Sequence, residues 1–241
     1  MKAPASRPNP VLRPLRMPAG VPGPNVFYRF MRRLFQVTMA AFWKVRVFDR
    51  HHEPASGGAV YICNHQSFLD PMLMSFALRR PMNYMARDTL FRTPGFKQII
   101  ESLNAFPVRR GAADLGAMKE AMRRLKAGQQ VVVFAEGTRT IDGRIGPLLP
   151  GVALLSQRVA AWTVPVVIDG AFEAWPRTQL LPSPGSIIVR YARPISQAEA
   201  RASSAERLLA QVRATLIDMQ TDLRRRVGRP ELVYSDHGPL E

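Results

Sequence analysis

The 241-residue chain reads as a single α/β domain with a mostly parallel or mixed sheet flanked by helices, preceded by an amphipathic N-terminal helix. Three observations predict this. Short apolar runs such as AVYIC (59–63), QVVVF (130–134) and TVPVVI (163–168) alternate with segments of helical periodicity, the order expected of strands joined by crossover helices. QVVVF is apolar without alternation, which suits a strand covered on both faces. The composition, 46% hydrophobic and 22% charged, is enough for one sizeable core.

Taken in order, residues 1–25 hold seven prolines and four basic residues and predict a disordered tail, because proline fixes φ and withholds a backbone donor. The same stretch lacks the apolar core of a secretory signal. Residues 26–48 comprise a helix and a lead-in strand, KVRVF (44–48). In the helix Phe27, Phe30, Met31, Leu34, Phe35, Thr38 and Phe42 recur at three- and four-residue steps, with Arg29, Arg32 and Arg33 beside them. That composition suits a helix lying in a membrane interface and equally one packed on the domain. Its longest apolar stretch, LFQVTMAAFW (34–43), is about half of the roughly 20 residues that a span needs.

The domain proper is expected over 49–228, with 229–241 as a C-terminal tail. Gly57-Gly58 turns into the strand AVYIC; PMLMSFAL (71–78) predicts a helix, MNYMA (82–86) a strand, GFKQIIESL (95–103) a short helix and AFPV (105–108) a short strand. Residues 114–127 carry the clearest helix signal: Asp114 to cap it, Leu115, Met118, Met122 and Leu125 on one face, and Gly128 just past its end. After QVVVF come a helix near 151–160, the strands TVPVVI and SIIVRY (186–191), and a last helix from Ser204 to Arg226.

The net charge is +16, with 29 arginines against five lysines. It is concentrated at the front: residues 1–50 carry a net +9, 51–198 a net +7, and 199–241 none. Arginine's planar fork favours phosphate, so an anionic partner is expected. A nucleic-acid-binding module is the weaker reading, since the charge is not interleaved with aromatics and no binding motif appears. One cysteine, Cys63, excludes an internal disulfide and a multi-cysteine zinc site.

Two strands run into polar groups at the end where α/β sheets collect their sites. The first is in VYICNHQSFLD (60–70). On one continuous helix His65 and Asp70 would lie about 140° apart and could not meet. With His65 in the loop and Asp70 opening the helix, the carboxylate can reach an imidazole nitrogen, fix its tautomer and leave the other nitrogen as a base. Equally, Asp70-Pro71 is an ordinary helix start with His65 a loop residue. The second is FAEGTRT (134–140), where Gly137 admits close backbone approach, Thr138 and Arg139 can hold a phosphate oxygen, and Glu136 can orient a ligand or pair with an arginine. FPVRRG (106–111) offers Arg109 and Arg110 as another anion clamp; both segments also read as plain surface turns. No GxSxG elbow is present, and Cys63 sits within the strand run, where it is expected to pack.

The order NHQSFLD, FPVRRG, FAEGTR and the proline-bearing strand TVPVVI, over residues 58–170, resembles the glycerolipid acyltransferase family. The resemblance implies that His65 is the general base for an acceptor hydroxyl and that Asp70 orients it. It implies that Arg109, Arg110, Gly137, Thr138 and Arg139 grip the acceptor's phosphate, that Glu136 helps place the acceptor, and that Pro165 has a structural or acyl-pocket role rather than a catalytic one. The acceptor would be a lysophospholipid, foremost 1-acylglycerol 3-phosphate, and the donor acyl-CoA or acyl-carrier protein, with no other cofactor. The protein would then work at an anionic membrane surface on the cytoplasmic side, peripheral or monotopic. Ala135 replaces the family's usual proline, Asn104-Ala105 a usual glycine, and Pro150 a common lysine. The last change makes Arg144 a substitute phosphate ligand, or points to another acceptor such as a lyso-aminolipid or glycerol 3-phosphate. A relative that binds lipid without catalysis is a further alternative, against which stand both His65 and Asp70.

Overall fold

A computed structural model describes residues 23–76, 78–109 and 114–234. Its strands are β1 (Trp43–Phe48), β2 (Ala59–Cys63), β3 (Met82–Arg87), β4 (Ala105–Val108), β5 (Gln130–Phe134), β6 (Trp162–Asp169), β7 (Gly185–Tyr191) and the short β8 (Ile195–Ser196). Its α-helices are α1 (Val26–Phe42), α2 (Asp70–Phe76), α3 (Phe96–Ser102), α4 (Leu115–Lys126), α5 (Gly151–Arg158), α6 (Ala171–Ala174), α7 (Gln197–Arg201) and α8 (Ala205–Arg226).

All eight strands form one sheet in the order β1-β7-β6-β2-β5-β3-β4, with β8 on β6. Strands β6, β2, β5, β3 and β4 are mutually parallel, whereas β7 runs antiparallel to β6 and carries β1 parallel to itself. The single α/β domain with a mixed, mostly parallel sheet is as expected. Pro165, which cannot donate to a ladder, lies between the two residues of β6 that pair with β8 and the four that pair with β7.

Side chains of β2 alternate between two cores, which is why the strand is buried throughout. Tyr61 and Cys63 face a layer that includes Met39 of α1, Leu73 and Met74 of α2 and Ala171 and Ala174 of α6. Val60 and Ile62 face Ala121 and Leu125 of α4, Val152 and Leu155 of α5, and the row Leu208, Val212, Leu216, Leu223 of α8. Asp114 caps α4 by accepting from Ala117 N at 3.0 Å, and Ser204 caps α8 by accepting from Arg207 N at 3.2 Å. At Gly58 a Cβ would lie 2.0 Å from the Leu125 carbonyl oxygen, so only glycine lets β2 start this close to the end of α4.

Helix α1 turns its apolar side away from the domain. Tyr28, Gln36 and Met39 face inward, and Arg32 donates to the Leu78 and Arg79 carbonyls at 3.1 Å. Phe30, Leu34 and Phe42 of the expected stripe are 62%, 42% and 63% exposed, with Val26 and Val37 beside them. The helix begins beside the end of α3, where Asn25 donates to the Ser102 carbonyl. It ends at β1, whose first residue pairs with Gly185, beyond the carboxyl end of β6. It therefore runs the height of the sheet, about 25 Å.

Candidate active site

The carboxyl ends of β2 and β5 lie side by side and supply the site. Asn64 ties the end of β2 to β6 by donating to the Ile168 carbonyl at 2.9 Å and accepting from Ile168 N at 2.8 Å. The chain then turns sharply, and Asp70 opens α2. Its carboxylate reaches backwards: one oxygen accepts from Gln66 N at 2.6 Å, Ser67 N at 2.8 Å and the His65 ring nitrogen Nδ1 at 2.7 Å. Asp70 is fully buried and His65 nearly so. With the carboxylate ionised, Nδ1 carries the proton and Nε2 keeps its lone pair. Among the described residues Nε2 has no hydrogen-bond partner, and the ring stacks on Phe134 at 4.2 Å.

The FAEGTRT segment holds the same histidine from the β5 side. Glu136 accepts from His65 N at 2.9 Å through one oxygen and from Gly146 N at 2.8 Å through the other, while Thr140 N donates to the His65 carbonyl at 2.8 Å. Both backbone polar groups of His65 are thus engaged. Burial pushes the Glu136 carboxyl up to about 7; the Asp70 charge adds to this, and the Gly146 and His65 amides and Arg213 oppose it. Gly137 adopts φ +72° in the turn after β5, a left-handed conformation that suits glycine. Thr138 is exposed, and the Arg139 guanidinium lies 3.6 Å over the ring of Phe68, which itself packs on Trp175.

Arg109 sits exposed at the carboxyl end of β4, at the same end of the sheet but three strand spacings, about 14 Å, from β2. Its amide donates to Asp114 at 2.8 Å. Arg110 lies outside the described residues. Arg144 pairs with Asp142 at 2.9 Å and donates to the Val233 carbonyl. Burial pushes the Cys63 thiol well up, and the charges of Asp70 and Glu136 add to this, so the cysteine packs in the core as a protonated thiol. Among the described residues no group of three or more His, Cys, Asp or Glu side chains could hold a metal ion.

Sequence reasoning missed the supports. Gln66 donates to the Gly143 carbonyl at 3.2 Å and accepts from Phe172 N, and Ser67 donates to the Trp175 carbonyl at 2.8 Å. The one signal was four consecutive polar residues, Asn64 to Ser67, after an apolar strand; all four are buried.

The acyltransferase family model matches residues 44–169, just over half of the chain. The chain belongs to the acyltransferase family. It is 28% identical over 189 residues to a 1-acyl-sn-glycerol-3-phosphate acyltransferase of Bacillus subtilis, covering 78% of this chain and 92% of that one. A protein of the same name from Cocos nucifera is 30% identical over 140 residues, 57% of this chain and 46% of that one. The chloroplastic LPAT1 of Arabidopsis thaliana is 27% identical over 154 residues, 62% of this chain. This acyltransferase spans 43% and 46% of the length of those two plant relatives. The crystal structure of the lysophosphatidic acid acyltransferase PlsC from Thermotoga maritima shares its fold, with a TM-score of 0.71 at 22% identity over 82% of this chain and 80% of that one. The matched range contains His65, Asp70 and the FAEGTRT segment; α8 and everything after it lie outside.

Proposed function

We propose that this acyltransferase moves a fatty acyl group from a thioester donor, acyl-CoA or acyl-carrier protein, to the free hydroxyl of 1-acylglycerol 3-phosphate, giving phosphatidic acid. The observation that carries the reading is the His65–Asp70 pair, in which a buried carboxylate accepts a hydrogen bond from the imidazole Nδ1 at 2.7 Å. Relatives named for this reaction support the choice of acceptor.

An alcohol is a poor nucleophile near neutral pH, and a positioned imidazole is worth roughly 10²–10⁴ in rate. Nε2 of His65 removes the hydroxyl proton as the oxygen attacks the thioester carbonyl carbon. The carbon–sulfur bond then breaks, and the imidazolium returns that proton to the departing thiolate. Asp70 stays ionised throughout and stabilises the imidazolium. Arg109, Arg110, Gly137, Thr138 and Arg139 bind the acceptor's phosphate, with Arg139 swinging from its stack on Phe68. Glu136 places the acceptor indirectly, by holding the turn that carries His65.

Among the described residues no helix is long and apolar enough to cross a membrane. The outward apolar side of α1 supports attachment to an anionic leaflet on the cytoplasmic side, where each nearby Lys or Arg contributes about 1 kcal/mol. Pro150, standing where the family commonly has lysine, favours a second reading in which the acceptor is a lyso-aminolipid.

The test is thiol release from a long-chain acyl-CoA, with and without lysophosphatidic acid in anionic vesicles. Wild type should need the acceptor, and His65→Ala should lose at least 10³-fold while keeping its fold. Undiminished turnover in His65→Ala would sink the base mechanism, and turnover only with a lyso-aminolipid would establish the second reading.

A further inference from the structure

The described part of the C-terminal segment after α8, residues 227–234, set aside from residue 229 on as a tail in the sequence, is tied to α8 and to the loop behind the site. Its root is fixed by Arg229, which donates to Asp169 at 2.6 Å, and by Arg224, which donates to the Pro230 carbonyl at 2.7 Å. Its tip is Tyr234. The phenol oxygen accepts from Ile145 N at 3.0 Å and donates to Gln220 of α8.

Residues 143–146 are gripped from this side at several points. Arg213 donates to the carbonyls of Ile145 and Gly146, both at 3.1 Å, and Gln220 donates to the Gly143 carbonyl at 3.1 Å. Ile145 itself is buried in the α8-side core. On its other side the same loop touches the catalytic turn twice. Gly143 accepts from Gln66, and Gly146 N donates to Glu136, whose second oxygen accepts from His65 N. A continuous run of hydrogen bonds and single residues thus joins Tyr234, Ile145, Gly146, Glu136 and His65. Five buried or half-buried polar groups engaged in series adopt one arrangement, because leaving any of them unpaired costs free energy.

We propose that Tyr234 is a positioning residue for His65, acting through the 143–146 loop and Glu136. Resting on the acyl-transfer reading above, this extends the functional unit from the family-matched range to the last described residue of the chain. Removing the phenol oxygen leaves Ile145 N without its acceptor, frees Gly146 to shift, and loosens the grip of Glu136 on the histidine backbone.

Two readouts on the full chain decide it. In Tyr234→Phe, hydrogen exchange of the His65 backbone amide should quicken at least tenfold, with amides of the β1–β7 pair unchanged. A change confined to a uniform shift of all slow amides would mean general destabilisation and would overturn the proposal. In the acyl-transfer assay Tyr234→Phe should lower kcat about tenfold with KM for the acceptor within twofold. The same substitution made in Glu136→Gln should cost less than twofold more, whereas additive losses would overturn action through Glu136. Should Tyr234→Phe fold poorly, Arg213→Met, which releases the loop from another side, must show the same amide response and the same non-additivity. If the wild type acylates no lysophospholipid, the acyl-transfer reading falls, and His65 amide exchange still decides whether Tyr234 holds the turn.

Discussion

Two fully buried carboxylates sit at the ends of adjacent parallel strands, and they are supported in opposite ways. Asp169, the last residue of β6, accepts from Arg224 at 2.9 Å and Arg229 at 2.6 Å, with Gln220 completing the set. Asp70, just beyond β2, accepts from two backbone amides and one imidazole, and among the described residues its other oxygen has no partner. A guanidinium cannot lose its proton near neutral pH, so Asp169 is a lock whose charge balance never changes. An imidazole can gain and lose one, so in the proposed transfer Asp70 faces a partner that carries a proton in one step and gives it up in the next. On the proposed mechanism, what separates the structural buried acid from the chemically useful one is the exchangeability of its counter-charge, since both are equally hidden from water.

Exchanging each acid for its amide tests the contrast. Asp70→Asn should lower turnover at least 10²-fold while the protein stays folded, because the amide oxygen can still accept from Gln66 N or Ser67 N. Asp169→Asn should do the reverse, leaving turnover per folded molecule within threefold but costing about 3 kcal/mol in denaturant unfolding, as the half-buried Arg229 loses its carboxylate partner and the buried Arg224 is left with Glu173 alone. Equal effects on both quantities from either variant would break the contrast.

Glu136 sharpens it from a third position, because its carboxyl is pushed up to about 7. Between its ordinary value near 4.5 and that point the unfolded chain ionises first, so the native state holds the extra proton and stability falls as pH rises. The loss is about 2 kcal/mol, allowing for partial solvent access, and levels off above about pH 7. Unfolding measured from pH 4.5 to 8 should show that slope in wild type and lack it in Glu136→Gln. A parallel slope in both would place the titration elsewhere.

The smallest effect on chemistry is expected at α1. Replacing Phe30 and Leu34 by serine should weaken binding to anionic vesicles about tenfold or more, because both are exposed and face away from the core. Turnover of a detergent-dispersed acceptor should change less than twofold. Unchanged vesicle binding would assign the apolar face some other purpose.

Much of the fold was legible because it rests on short-range signals. AVYIC, QVVVF and AFPV have the expected limits, Asp114 caps the helix it was expected to cap, and the last helix starts just after Ser204, where its start was expected. The turn from His65 to Asp70 could be drawn because it spans six residues. By contrast, the two hydrogen bonds of Asn64 to Ile168 reach across 104 positions, and that of Tyr234 to Ile145 across 89, distances at which a sequence pattern carries no signal. The short helices α6 and α7 were missed for a related reason: four or five residues are less than two turns and form through their surroundings. The arginines show a further limit. Their abundance suggested free cations for an anion, yet Arg224, Arg229 and Arg190 are engaged with Asp169, Asp49 and Asp222 inside the fold.

Because β1, like β7, runs opposite to the five parallel strands β6, β2, β5, β3 and β4, the end of α1 arrives at the rim where His65 lies, and the exposed apolar side of that helix extends from there to the far end of the sheet. An enzyme resting along that side meets its acceptor by lateral diffusion within the leaflet. Its rate would then follow the mole fraction of acceptor in the surface, and diluting the vesicles in water would leave it unchanged, while diluting the acceptor with inert lipid would slow it.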